Sequence, residues 1–157
     1  MADIELQKVQ NIESLARGFN YEGTVNIKDD VPTGGVCAVK FNSAELVGVI
    51  GKAAIVVEEH VPETSSSGST YTGYTVIMGD DGDTDGLIAS VQLEATATPA
   101  TLGTIFVNTG DDGIGSTVDN VDITFTSAGE ADEALATAGK LKVLMEYYPT
   151  AGDNYSG

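Results

Sequence analysis

The chain reads as an all-β protein: an antiparallel β-sandwich or jelly roll of about eight strands, with an N-terminal arm or short helix. Three observations predict this. Apolar and polar residues alternate over most of the chain, the period of a half-buried strand. Nineteen glycines and several Asp-rich stretches punctuate the alternating runs. Only one long segment carries a helical spacing.

That segment is Asp3 to Ala16, where Leu6, Val9, Ile12 and Leu15 roughly follow a helical stripe and Gly18 stops it. It is read either as a free arm that orders on a partner or as a short helix packed on the body. Beyond Gly18 the period falls to two. Val25 and Ile27 alternate with Thr24, Asn26 and Lys28, and the turn Asp29–Gly35 follows. Cys37, Val39 and Phe41 share a face, with Lys40 on the other. Ala53–Glu58 reads as a buried strand, and Pro62–Thr70 as a polar loop.

The second half is more regular. Tyr74, Val76 and Met78 alternate, as do Val91, Leu93 and Ala95. Ile105 and Val107 make a short strand. Val121, Ile123 and Phe125 alternate against Asp122, Thr124 and Thr126. Leu141, Val143, Met145 and Tyr147 alternate against Lys142, Leu144 and Glu146. One face buried and one wet is the pattern of antiparallel sheet. The boundaries that follow are an arm over 1–20, a β-sandwich over 21–150 and a C-terminal tail over 151–157. YTVIMGDDG at 74–82 echoes TIFVNTGDDG at 104–113, a repeat too short for a solenoid.

Composition narrows the function. A chain of 157 residues that is 41% hydrophobic can bury a core without staples. The net charge of −17 opposes nucleic acid and anionic membrane surfaces, which need basic patches. Residues 79–157 hold 14 acidic and 2 basic side chains, so the negative field concentrates there. No stretch is long and apolar enough to span a bilayer as a helix, and MADIELQKVQ lacks a signal-peptide pattern. Cys37 is the lone cysteine and reads as a small buried hydrophobe in a reducing compartment. His60, the lone histidine, stands beside Glu58 and Glu59 and reads as a strand-end surface residue. Such a set leaves little acid–base or nucleophilic machinery, so a non-enzymatic protein is expected.

The sharpest local motif is Asp81-Gly82-Asp83-Thr84-Asp85-Gly86. Carboxylates at alternate positions followed by a turn glycine form the first half of an EF-hand-type loop, so Asp81, Asp83 and Asp85 are candidate calcium ligands. The closing bidentate glutamate is missing: the twelfth position is Gln92, and Glu94 comes two residues later. The competing reading is an acidic solvated turn, and no other cofactor is expected. Asp111-Asp112 forms a second acidic turn without the alternation.

The stretches YTVIMGDDGDTDGL (74–87), VDITFT (121–126) and TAGKLKVLMEYY (137–148) form a wider pattern. It resembles the small β-rich structural proteins of tailed bacteriophages, particularly minor capsid and decoration (cement) proteins. The ending T-A-G-K-L-x-V-x-x-E-Y is similar to a recurrent last strand in that group. The resemblance covers residues 74–148 and transfers no functional residue. It implies a virion structural protein on the capsid surface, assembled in the host cytoplasm. Its partners would be the major capsid protein and further copies of itself. Docking is expected through the N-terminal arm, by Leu6, Val9, Ile12, Leu15, Phe19 and Tyr21. The alternatives are a calcium-dependent binding or adhesion module, and a tail or neck component of the same kind of particle.

Overall fold

A computed structural model describes residues 3–10, 12–31, 35–59, 73–94, 105–107, 116–128 and 139–149. His60, the 62–70 loop, Ala95, Asp111-Asp112 and the 151–157 tail lie outside the described residues.

The fold is all-β. In chain order the strands are β1 (Ile4–Lys8), β2 (Tyr21–Asn26), β3 (Val36–Phe41), β4 (Ala44–Glu45), β5 (Val47–Glu59) and β6 (Gly73–Gly79). They continue as β7 (Ile88–Glu94), β8 (Ile105–Val107), β9 (Ser116–Asp119), β10 (Asp122–Ala128) and β11 (Lys140–Pro149). Two single-turn helices, α1 (Ile12–Ala16) and α2 (Ile27–Asp30), flank β2. The strands form one sheet in the order β7-β6-β10-β3-β1-β2-β11-β5-β8, with β4 added to β3 and β9 to β5. Strand β7 approaches β5 and β8 at the far side, so the sheet nearly closes into a barrel.

The alternating residues line its interior. Val25, Cys37, Val39, Ile55, Val76, Met78, Ile123, Phe125, Leu141, Val143 and Met145 are all buried in one core. Strand β5 is the longest because it pairs with β11 on one edge and with both β8 and β9 on the other. Cross-strand pairs Lys142–Glu22 and Lys142–Glu58 (3.7 and 3.3 Å) tie β2, β11 and β5 on the wet face. These pairs are partly buried, with Glu22 the least exposed of the three side chains at 12%.

The N-terminal segment departs from the expected arm. Residues 4–8 form a strand inside the sheet, antiparallel to β2 and parallel to β3 in register Ile4↔Val39 and Leu6↔Phe41. It joins the β2 side of the barrel to the β3 side, and its pairing with β3 is the one parallel pairing among the described residues. Ile4 and Leu6 are buried in the core, and a Cβ on Gly23 would lie 2.9 Å from the Ile4 Cγ2. The physical reason lies in the spacing. Steps of three alone (6, 9, 12, 15) drift around a helix at 100° per residue, whereas Ile4 and Leu6 meet the strand period. Only residues 12–16 become helical, and Gly18, at φ +91°, ends that turn with its N–H bonded to the Leu15 carbonyl (3.0 Å).

Candidate functional site

Strands β1, β3, β6 and β11 all finish at one end of the barrel, and β5 begins there. This end also holds the three non-glycine residues with positive φ found among the described residues. Asn42 (53°) and Ser43 (61°) form the two-residue β3–β4 turn, where both central residues must be left-handed. Asn120 (61°) joins β9 to β10 and bonds the Leu46 carbonyl through its N–H.

Two adjoining hollows open here, of about 360 and 470 Å³. Both are lined by Phe41, Asn42, Tyr147 and Pro149; the first extends to Lys8 and Asn20, the second to Glu45 and Val47. Tyr21 packs edge-on against Phe41 and Tyr147, with ring centroids 4.9 and 5.8 Å apart. Two clamps fix the floor. The Tyr147 hydroxyl accepts from the Val47 N–H and donates to its carbonyl, both at 3.2 Å. The Asn20 side chain accepts from the Tyr147 N–H (2.8 Å) and donates to its carbonyl (3.1 Å). The fork replaces a strand partner at the bulge between Met145 and Tyr147.

Beside the hollows stands a knob, residues 9–20, carrying α1. Its neck is closed by the Val9 N–H on the Asn20 carbonyl (3.1 Å). Val9 and Phe19 pack with Ala54 and Leu144 into a small second cluster outside the barrel. This explains why Leu144 stands among polar residues on the outer face: the knob covers it. Lys52 donates to the Arg17 carbonyl and sits 5.5 Å from the Phe19 ring centroid. Ile12 and Leu15 point out, 82% and 49% exposed.

Of the six expected docking residues, Leu6, Val9 and Phe19 are therefore buried and unavailable, and Tyr21 is part of the hollow's packing. Ile12 and Leu15 remain. The surface residues missed by periodicity are Val47 (37% exposed) and Tyr148 (43%). Tyr148 could have been found as an aromatic on the wet phase of β11.

The acidic loop lies at the same end. Asp80 Oδ1 accepts from the Gly82 and Asp83 N–H groups (2.8 and 3.0 Å), Asp83 from Asp85 (3.4 Å), and Asp81 from Asn120 Nδ2 (3.1 Å). The Asp80 and Asp83 carboxylates thus cap the turn. Among the described residues no three Asp, Glu, His or Cys side chains converge on a metal position. Asp81 and Asp85 are exposed on this turn, and alternate spacing supplies calcium ligands only when the backbone curls the carboxylates inward. Nearby, burial together with the charges of Glu45 and Asp81 raises the Asp122 pKa. Burial, aided by Asp30, Asp122 and Asp3, pushes the Cys37 thiol up to about 11. Cys37 is fully buried with its Sγ 3.4 Å from the Asp30 carbonyl, so it is a packing residue.

Compared with known proteins, the chain matches no family model, no curated protein and no solved structure.

Proposed function

We propose that this chain is a structural component of an assembly, a decoration protein that stabilises a phage capsid by bridging neighbouring capsid subunits. One observation carries the assembly reading. Of the four exposed large apolar side chains found among the described residues, Tyr148 and Val47 line the two adjoining hollows, and Ile12 and Leu15 stand on the knob, whose flanking residues Lys8 and Asn20 line the first hollow. They are linked through Gly18 and Glu146 at the knob and through Pro149 at the hollow. Apolar residues scattered singly need no explanation, but a one-sided grouping marks a contact surface. The resemblance of residues 74–148 to cement proteins supports the particle. The acidic surface supports a protein that stays dispersed until it meets its shell. Binding only the assembled shell stabilises that state by mass action.

The test is co-sedimentation of the full chain with capsids from its source particle. The chain is expected to pellet with shells and to raise their dissociation temperature. Chain that stays in the supernatant at saturating shell concentration sinks the reading. Deletion of residues 1–20 is not a clean version of this test, because it removes β1 from the middle of the sheet.

A further inference from the structure

We infer that the first hollow, at the mouth of the barrel, is a binding site for a small organic anion. The ligand is a carboxylate carried on an aromatic or aliphatic body, with the carboxylate on Lys8 and the body against Phe41 and Tyr147. The inference goes beyond the assembly reading and does not rest on it.

Lys8 carries the inference. Strand β1 turns Ile4 and Leu6 into the core, and Lys8 is the next residue in that phase, paired with Tyr21 of β2. The inward position at the end of the strand thus holds a cation where the period calls for an apolar side chain. It is exposed at the mouth and lines the hollow. Its surroundings supply no counter-charge. Lys40, Lys140 and Lys142 each pair with a carboxylate, at 3.1, 3.6 and 3.3 Å, and Lys52 donates to the Arg17 carbonyl. Among the lysines with described side chains, Lys8 alone has no ion-pair or hydrogen-bond partner. It is also the only charged side chain among the described residues lining this hollow. In a chain with 24 acidic and 7 basic residues, a lysine left without a carboxylate is the exception.

The rest of the hollow suits the remainder of such a ligand. Tyr21 and Asn42 line it with Lys8, and neither the Tyr21 hydroxyl nor the Asn42 side chain has a hydrogen-bond partner among the described residues. An ammonium, a phenol O–H and an amide N–H are three donors, the complement of a carboxylate, whose oxygens only accept. Phe41, Tyr147 and Tyr148 supply aromatic wall. A volume of about 360 Å³ lies in the range of small-ligand pockets, and barrel mouths are among the places where such pockets form. The wall is preformed. Tyr147 is held by Asn20 and Val47, and Tyr21 packs edge-on against Phe41 and Tyr147. Little ordering is left to oppose binding. Glu45 sets the orientation. It lines the adjoining hollow, beyond the wall the two share, so the carboxylate belongs at the Lys8 end and the apolar body towards the shared wall.

The experiment is a titration of the full chain, followed by its own NMR signals, with three ligands of one skeleton: phenylbutyrate, phenylbutanol and phenylbutylamine. Salt is held at roughly 150 mM, so that distant charges are screened. The acid is expected to bind with a dissociation constant of about 1 mM or tighter, as a ligand of this size allows. It should bind about tenfold more tightly than the amine. The field of a chain of net charge −17 favours the amine, so a preference for the acid has to come from the hollow. Lys8→Met keeps the aliphatic stem and should weaken the acid by about tenfold while leaving the alcohol unchanged. Lys8→Arg should retain the acid. Tyr21→Phe should weaken it by about threefold, the usual worth of one hydrogen bond. Lys140→Met removes the same charge from the outer wall and should change nothing. An amine that binds as tightly as the acid overturns the inference. So does acid binding that Lys8→Met leaves unchanged, or an acid that does not bind up to about 10 mM; Lys8 is then a solvated strand end. Equal losses in Lys8→Met and Lys140→Met overturn it too, because the acid would then be responding to net charge. None of these titrations involves a capsid, so their failure leaves the proposed function standing, and a chain that never pellets with capsids leaves this site standing.

Discussion

Strand β1 and helix α1 are four residues apart and have opposite fates. Ile4 and Leu6 of β1 close the seam between the two sides of the barrel, while Ile12 and Leu15 of α1 stand in solvent. Both pieces are apolar, and both fall in one segment with a single approximate stripe. Hydrophobicity alone therefore does not decide burial here. What decides it is whether the backbone finds a ladder: β1 has partners on both edges, and α1 has a one-turn helix raised on Val9 and Phe19.

The largest test of this difference is a matched pair of truncations. Leu6→Ala leaves a cavity in the core and should cost about 2–5 kcal/mol. Ile12→Ser, at a site 82% exposed, should stay within about 0.5 kcal/mol of wild type. Urea unfolding of both proteins at one low protein concentration makes the comparison. Equal midpoints would mean that residues 4–8 are an arm after all.

A smaller effect belongs to the joint between the regions. Asn20 ends the knob and forks onto both backbone groups of Tyr147. Asn20→Ala leaves a part-buried N–H and carbonyl without that partner and should cost about 1–3 kcal/mol. Asn20→Asp keeps the acceptor and loses the donor, so it should fall between alanine and wild type in the same urea series. If alanine and wild type unfold together, the knob is not anchored by this fork.

These contrasts show what could be read in the sequence. The all-β class and the core faces of β3, β6, β10 and β11 were legible, because Val39, Met78, Ile123 and Val143 sit in strict alternation between turn residues. Gly18 was legible as a stop. The fate of residues 4–8 was not, since five residues satisfy either period and only pairing with Val39 and Phe41, more than thirty positions away, settles it. The hollow was illegible for a related reason: Phe41, Val47 and Tyr147 come from three strands, and no local pattern joins them. Leu144 was the clue to the knob's seat, an aliphatic residue on a polar face that something must cover.

Cys37 tests the barrel interior from its chemistry. Burial holds its thiol at about 11 against an ordinary 9.0. Folding thus favours the protonated form: its contribution is complete below pH 9 and is lost as pH rises through 11. The native thiol should resist a disulfide reagent at pH 8 and react fully in denaturant. Rapid native labelling would place Cys37 at an opening in the β3 side of the barrel rather than in its core.

The smallest expected effect separates a built turn from an ion site. In the 80–86 loop the hydrogen bonds run from backbone N–H groups to Asp80 and Asp83, and Asp81 is held by Asn120. Asp80 therefore acts as a cap, and Asp80→Ala should cost about 1 kcal/mol, the usual worth of an accepted backbone bond. Asp85, exposed and without such a role among these bonds, should be near neutral on substitution by Asn. Calcium offers the sharper discrimination. A cation that gathered Asp81, Asp83 and Asp85 would bind the folded state alone and raise the melting temperature, by mass action, well beyond the effect of the same ionic strength in sodium. The loop geometry predicts equal melting temperatures in millimolar calcium and in chelator at matched ionic strength. A calcium-specific rise that Asp83→Asn abolishes would show that the turn reorganises around an ion, and would move the loop from the class of α1, presented by the barrel, into the class of β1, on which the barrel depends.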